Sequence, residues 1–129
     1  MKLYISQKVI THRSKQSLIY DLKNYVQKTI CIQCKALKNR KLFLDKLPDI
    51  ILERKNAKHR LECFSIAIEI LKKSTYIKQN ILNNTEYEVF GLDRNKNMIK
   101  VHIREEIHLK NKKLFFISCF WTKEKASSP

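Results

Sequence analysis

Residues 100–106, KVHIREE, hold the side chains best suited to chemistry. If the stretch is a strand, alternation places Lys100, His102, Arg104 and Glu106 on one face. That face combines fixed cations and a carboxylate with an imidazole, whose ordinary pKa lies near neutrality. Metal-free RNA cleavage needs a base for the 2′-OH proton, an acid for the leaving 5′-oxygen and cations for the developing charge. The stretch therefore predicts phosphodiester cleavage.

Within this stretch, His102 is the first candidate for acid–base work. Arg104 is the candidate cation that holds the phosphate and stabilises its charge. Glu105 or Glu106 is the candidate partner base, depending on which of the two the strand points into the site.

Glu86 and Glu88 supply an alternative interpretation of the same face. Matching the apolar positions of two neighbouring predicted strands places Glu88 beside His102 and Glu86 beside Arg104. Ordinary cross-strand pairs on a solvated face would then explain these charged residues without catalysis. The sequence leaves both interpretations open.

A second basic group, Lys58, His59 and Arg60, lies at the start of a helix predicted over about residues 57–73 and capped by Asn56. A helix N-terminus attracts phosphate through its free N–H groups and its dipole. The three side chains are therefore candidate nucleic-acid contacts. A solvated first helical turn is the alternative.

Lys100 and Lys123 complete the candidate nucleic-acid contacts, and Ser118 is a further candidate for the catalytic site. Ser118 is polar within an apolar stretch. It joins the active face if the last strand pairs so that Ser118 lies opposite His102 or Arg104, and a shift of one residue buries it. The sequence does not fix that register.

The period of the apolar residues changes along the chain. Helical spacing is clear over about residues 14–28 and 57–73, whereas residues 29–46 suit either a helix or an extended segment. Later residues alternate with period 2 and predict strands around 87–89, 99–103 and 114–121. The fold class is therefore α+β, with N-terminal helices followed by an antiparallel meander of three to four strands.

The last predicted strand, around residues 114–121, is apolar on both faces, so we expect it to lie centrally or beneath helices. Its aromatic residues are expected in the core. Trp121 is the one aromatic that we single out as a candidate for stacking on a base.

The overall charge agrees with a polyanionic partner. The 129 residues carry 27 Lys plus Arg against 12 Asp plus Glu, a formal charge of +15, while 43% hydrophobic residues are enough for a folded domain. Nucleic acid, here RNA, is the expected partner, and an anionic membrane surface is the rival. We expect a single domain over residues 1–129 with a frayed tail over residues 123–129.

Several classes of site and location are disfavoured. The single glycine, Gly91, excludes Gly-rich phosphate loops and the nucleotide cofactors that they bind, so no cofactor is expected. No signal peptide or membrane-spanning stretch is evident, which predicts a soluble cytoplasmic protein without membrane association. The four cysteines lack the paired spacing of zinc sites, so we expect buried thiols and neither a metal nor a disulfide.

Four short strings resemble the phage-associated nuclease-like domains of the barnase/EndoU/colicin/RelE (BECR) group. They are HRLECF at 59–64, YEVFG at 87–91, VHIREE at 101–106 and FFISCF at 115–120, and the resemblance covers about residues 40–121. It implies a small α+β metal-independent RNase, of the kind found as toxins or effectors of phages and mobile elements. It is also compatible with an inhibitor or immunity protein as partner, and with action either where the protein is made or after delivery into another cell.

The residues that carry over from the resemblance are His102 and Arg104 on a central strand, His59 and Arg60 near the helix start, and Ser118 on the last strand. Two other function classes remain open. One is a non-catalytic nucleic-acid-binding module, and the other is a basic protein that covers an acidic protein partner.

Overall fold

The structure is a computed structural model that describes residues 3–83 and 85–123. In chain order its helices and strands are α1 (Lys15–Lys28), β1 (Cys31–Cys34), β2 (Arg40–Phe43), α2 (Leu47–Leu52), α3 (Ala57–Leu61), α4 (Phe64–Lys73), β3 (Ile77–Gln79), β4 (Glu86–Leu92), β5 (Met98–His108) and β6 (Asn111–Thr122). A short 3-10 helix, Lys35–Leu37, joins β1 to β2.

The described strands form one sheet in the order β1-β2-β6-β5-β4-β3. All neighbours are antiparallel except β2 and β6, which run parallel. The helices contribute Leu22, Leu47 and Ile70 to a buried cluster that also contains Val101 and Phe116 from the sheet. The helices therefore cover one face of the sheet, and the other face carries the alternate residues of β4 and β5.

The α+β prediction is confirmed, but its details are corrected. Two strands, β1 and β2, precede α2, α3 and α4, so the helices are not all N-terminal. Six strands, instead of three to four, are found among the described residues. The undecided residues 29–46 form an antiparallel pair, whose connection places Lys38 and Asn39 at φ 57° and 61°. Neither is glycine, which disguised this turn in the sequence.

The predicted helix over residues 57–73 is interrupted. α3 ends at Leu61 and α4 begins at Phe64. Between them the Arg60 carbonyl oxygen accepts a hydrogen bond from the Cys63 amide at 3.3 Å and from the thiols of Cys63 and Cys119, each at 3.3 Å. The Cys119 thiol comes from β6, so a tertiary contact that spacing cannot reveal stabilises the turn.

The predicted pairing of β4 with β5 is confirmed residue by residue. Val89 lies opposite Val101, Glu88 opposite His102 and Glu86 opposite Arg104. Apolar alternation could fix this register because one face of the sheet is buried, and a slip of one residue would expose every buried side chain. The last strand, β6, lies centrally between β5 and β2 as predicted.

Gly91 is needed for the packing of α4 against β4. A Cβ atom at this position would lie 2.7 Å from both Cγ1 and Cδ1 of Ile70, which is fully buried on α4. A side chain at residue 91 would therefore push the helix away from the sheet.

The core contains most of the thiols and the large aromatic residues of the last strand. Cys34, Cys63 and Cys119 are buried, and burial raises the pKa of the Cys34 and Cys63 thiols. These thiols therefore behave as small apolar side chains. Trp121 is 3% exposed, so the expectation that it stacks on a base is not met.

Two expectations concern the ends and the location of the chain. Of the predicted frayed tail only Lys123, which is exposed, belongs to the described residues, and 124–129 lie outside them. Among the helices described within 3–83 and 85–123, none has the length and apolar character needed to cross a membrane.

Candidate nucleic-acid site

A cleft of about 710 Å³ opens on the sheet face opposite the helices. His102 on β5 and Ser118 on β6 line it and lie directly opposite each other in the strand register. Arg60 reaches the same cleft from α3. The fold therefore brings Arg60 of the first basic segment, 58–60, to the same cleft as Lys100 and His102 of the second, 100–104.

Arg60 is held in the cleft by neutral groups. Its Nη1 donates to Ser118 Oγ at 2.9 Å and to the Cys119 carbonyl oxygen at 3.4 Å, while its Nε donates to Asn56 Oδ1 at 2.8 Å. The guanidinium carbon lies 5.0 Å from the centre of the Phe120 ring. Asn56 precedes α3 as predicted, but its side chain bonds to Arg60 and does not cap the helix.

Within the part of the chain that the structure describes, the charge of Arg60 has no carboxylate partner. No ion pair within residues 3–83 and 85–123 involves Arg60. Burial and the neighbouring positive charge of Arg54 lower its pKa. A partly desolvated cation held only by neutral groups favours an incoming anion.

Three more cations line the cleft: Arg54, Lys78 and Lys100. The carboxylates that line it are Glu86 and Glu88. Cations therefore outnumber carboxylates two to one in the cleft lining, which attracts a polyanion.

His102 is partly buried in this cleft, with its side chain 33% exposed, and its Nε2 lies 3.4 Å from Glu86 Oε1. Burial is the main cause that lowers its pKa below the ordinary 6.5. The carboxylates of Glu86 and Glu88 oppose this shift, whereas the positive charges of Arg104 and Arg54 add to it. The imidazole is therefore mostly neutral at pH 7, and its protonated fraction grows as the pH falls.

Glu86, predicted from the sequence only as a cross-strand partner, is the carboxylate of the site. Its Oε1 lies 3.4 Å from His102 Nε2 and 3.5 Å from Arg104 Nε. The signal was present in the sequence, because the correctly predicted register put Glu86 beside Arg104 and diagonally across from His102. Glu86, His102 and Arg104 form one connected group.

Glu105 and Glu106, the candidate partner bases, are placed elsewhere. Glu105 lies on the opposite face of β5 from His102 and forms an ion pair with Arg40 at 2.7 Å. Glu106 shares the face of Arg104 but pairs with Lys46 and lies 3.9 Å from Arg104. Neither lines the cleft, and Glu86 occupies the position expected for them.

Arg104, the candidate phosphate-holding cation, lies next to the cleft. Its contact with Glu86 turns the guanidinium toward that carboxylate. The arginines that line the cleft are Arg54 and Arg60.

His59 fixes α3 against the sheet. Its ring stacks on Trp121, with centroids 4.4 Å apart and planes 18° apart. Its Nε2 lies 2.6 Å from the Trp121 carbonyl oxygen, and Trp121 Nε1 donates to the His59 carbonyl oxygen at 2.9 Å. His59 thus has a structural contact that helps to position the adjacent Arg60.

Lys58 and Lys123 are exposed and do not line the cleft. α3 spans only five residues, so the dipole argument for a phosphate at its start carries little weight. Phe120 is a half-buried aromatic residue that lines the cleft beside Arg60, and Tyr87 is another in the same lining. Alternation could have identified Phe120, because it lies on the same side of β6 as Ser118.

The chemistry available in the cleft is that of an acid–base pair beside phosphate-binding cations. Among the described residues no cluster of three or more His, Cys, Asp and Glu is arranged to hold a metal ion.

Comparisons with protein-family models, with curated proteins and with solved structures find no match to this chain.

Proposed function

We propose that the protein binds RNA in the cleft and cleaves it without a metal ion. The observation that carries the proposal is Arg60, a partly buried cation held by neutral groups, in the same cleft as the pair formed by His102 and Glu86. An unpaired cation supplies a phosphate site, and a carboxylate with an imidazole supplies a base and an acid.

In this mechanism Glu86 accepts the proton of the 2′-OH as the O2′ atom attacks phosphorus. The P–O5′ bond breaks, and protonated His102 donates its proton to the leaving 5′-oxygen. The product carries a 2′,3′-cyclic phosphate, and no other reactant is needed. Arg60 stabilises the negative charge on the non-bridging oxygens, and Ser118 holds its Nη1 in place.

The overall charge of +15 supports the same conclusion, because a polyanion releases counterions when it binds such a surface. The resemblance to the BECR group extends the proposal to a toxin or effector of a phage or mobile element. Its site of action would be the cytoplasm, in the producing cell or in a recipient. An immunity protein with an acidic surface would then be its natural inhibitor.

The pH dependence tests this mechanism. We consider kcat/KM for cleavage of a single-stranded oligoribonucleotide in excess EDTA. Its decrease on the alkaline side should have a midpoint below pH 6.5, because only protonated His102 can donate a proton and the pKa of His102 is lowered. As pH rises through that pKa, kcat/KM should fall tenfold for each pH unit. Initial rates between about pH 4.5 and 8.5 measure this decrease.

Three results would contradict the mechanism: a rate that keeps rising through pH 8, a strict need for added metal, or no cleavage at any pH. RNA binding without cleavage would favour the non-catalytic binding module.

A further inference from the structure

Ile81 and Leu82 form an exposed apolar pair beside the cleft. They lie in the loop between β3 and β4, and each is 98% exposed. Ile81 lines the cleft, and Leu82 follows it just outside. Single exposed apolar residues are ordinary, but two adjacent ones at the edge of a charged cleft expose apolar surface where a ligand would cover it.

Hydrogen bonds from Asn80 fix the backbone around the pair. Asn80 Oδ1 accepts hydrogen bonds from the amides of Leu82 at 2.9 Å and Asn83 at 3.3 Å. The Asn80 amide donates to the Glu86 carbonyl oxygen at 2.9 Å. The apolar pair is therefore tied through the backbone to the residue that we assign as the general base.

The charges of the cleft indicate which ligand covers the pair. Arg54, Arg60, Lys78 and Lys100 favour a polyanion, and the apolar part of a nucleic acid is the faces of its bases. In a duplex these faces are stacked on one another, and only in single strands, loops and bulges are they free to contact a side chain. An unpaired base is thus the occupant that fits both the charge and the apolar surface.

The size of the cleft agrees with this occupant. A volume of about 710 Å³ suits a small ligand such as one or two nucleotides and is too small for the cross-section of a double helix.

We propose that Ile81 packs against the unpaired base next to the scissile phosphate and Leu82 against the following base, so that the substrate is single-stranded RNA. This inference rests on the proposed function, because it assumes that the cleft binds RNA. A protein partner covering the same pair is the competing outcome of the test.

The test is the double variant Ile81→Ser/Leu82→Ser, with Ile107→Ser/Leu109→Ser as the matched control. The control residues are 73% and 98% exposed but belong to the β5–β6 hairpin and do not line the cleft. Fluorescence anisotropy gives the Kd of each protein for a labelled single-stranded oligoribonucleotide and for the same sequence in a duplex. All four side chains are exposed, so both variants should fold.

We expect the cleft variant to bind the single strand about five- to tenfold more weakly, with an equal rise in KM and little change in kcat. The control should bind like the wild type, and the duplex should bind equally to all three proteins. Wild-type affinity in the cleft variant would overturn the inference while leaving the proposed function intact. If the wild type binds no RNA at all, both fail. An unchanged Kd for RNA together with lost binding to a protein inhibitor would assign the pair to that protein.

Discussion

Glu86→Gln should lower kcat/KM for RNA cleavage by about 10²- to 10⁴-fold, because an amide cannot accept the 2′-OH proton. The substitution keeps the size of the side chain, so RNA binding should change little. Since the Glu86 carboxylate raises the pKa of His102, any residual activity should show its alkaline limb at lower pH than in the wild type. Single-turnover rates in EDTA as a function of pH measure both effects.

Glu106→Gln is the matched control for Glu86→Gln. Glu106 lies on the same face of β5 as His102. Like Glu86 it contacts Arg104, at 3.9 Å, but it does not line the cleft. We expect it to retain wild-type activity to within about threefold. Equal losses in the two variants would show that the general charge of this face matters and would remove Glu86 from its assigned role.

Arg60→Ala should lower kcat/KM by about 10²- to 10³-fold, because it removes the cation that we assign to the charge developing on the phosphate. Arg60→Lys should recover only part of the activity. A lysine keeps the charge but cannot contact Ser118 and Asn56 through two edges of one planar group, as the guanidinium does. Steady-state kinetics on a defined oligoribonucleotide give these ratios.

Arg40→Ala is the control for the Arg60 variants. Arg40 is also an arginine on the surface, and it pairs with Glu105 away from the cleft. The Arg40→Ala substitution should lower kcat/KM by less than about twofold. Circular dichroism and thermal melts of all three variants separate a loss of function from a loss of folding. A folded Arg60→Ala protein with full activity would rule out the assigned phosphate site.

The sequence was informative wherever one buried face determined the structure. The register of β4 with β5 followed from apolar alternation, and it correctly placed Glu86 and Glu88 on the face of His102. That register contained enough information to identify Glu86 as a site residue. Glu105 and Glu106 are neighbours of Arg104 along the chain, whereas Glu86 is its neighbour across the strands.

The register of β6 could not be predicted because the β5–β6 ladder contains an irregularity. His102 lies opposite Ser118, but the next residue, Ile103, lies opposite Phe116, so Ile117 is an extra residue on β6. Such a bulge leaves no clear mark in an apolar strand. It allows Ser118 to face the cleft while Phe116 packs in the core.

Long-range contacts account for the other differences. His59 stacks on Trp121, which is 62 residues away. That contact gives both side chains a structural role, in place of the nucleic-acid contact predicted for His59 and the base stacking predicted for Trp121. The Cys119 thiol bonds to the Arg60 carbonyl, at the break between α3 and α4, across a similar separation. Helical periodicity is a local signal and cannot report such contacts.

The most direct test of the central claim compares the wild type with His102→Ala on a single-stranded RNA in excess EDTA, at a pH below 6.5. His12→Ala is the matched control, because His12 is an exposed histidine that does not line the cleft. We predict that the wild type and the control cleave the RNA to products with 2′,3′-cyclic phosphate ends, and that His102→Ala is folded but slower by about 10²- to 10⁴-fold. Cleavage that requires added metal, or a His102→Ala protein with full activity, would contradict the account.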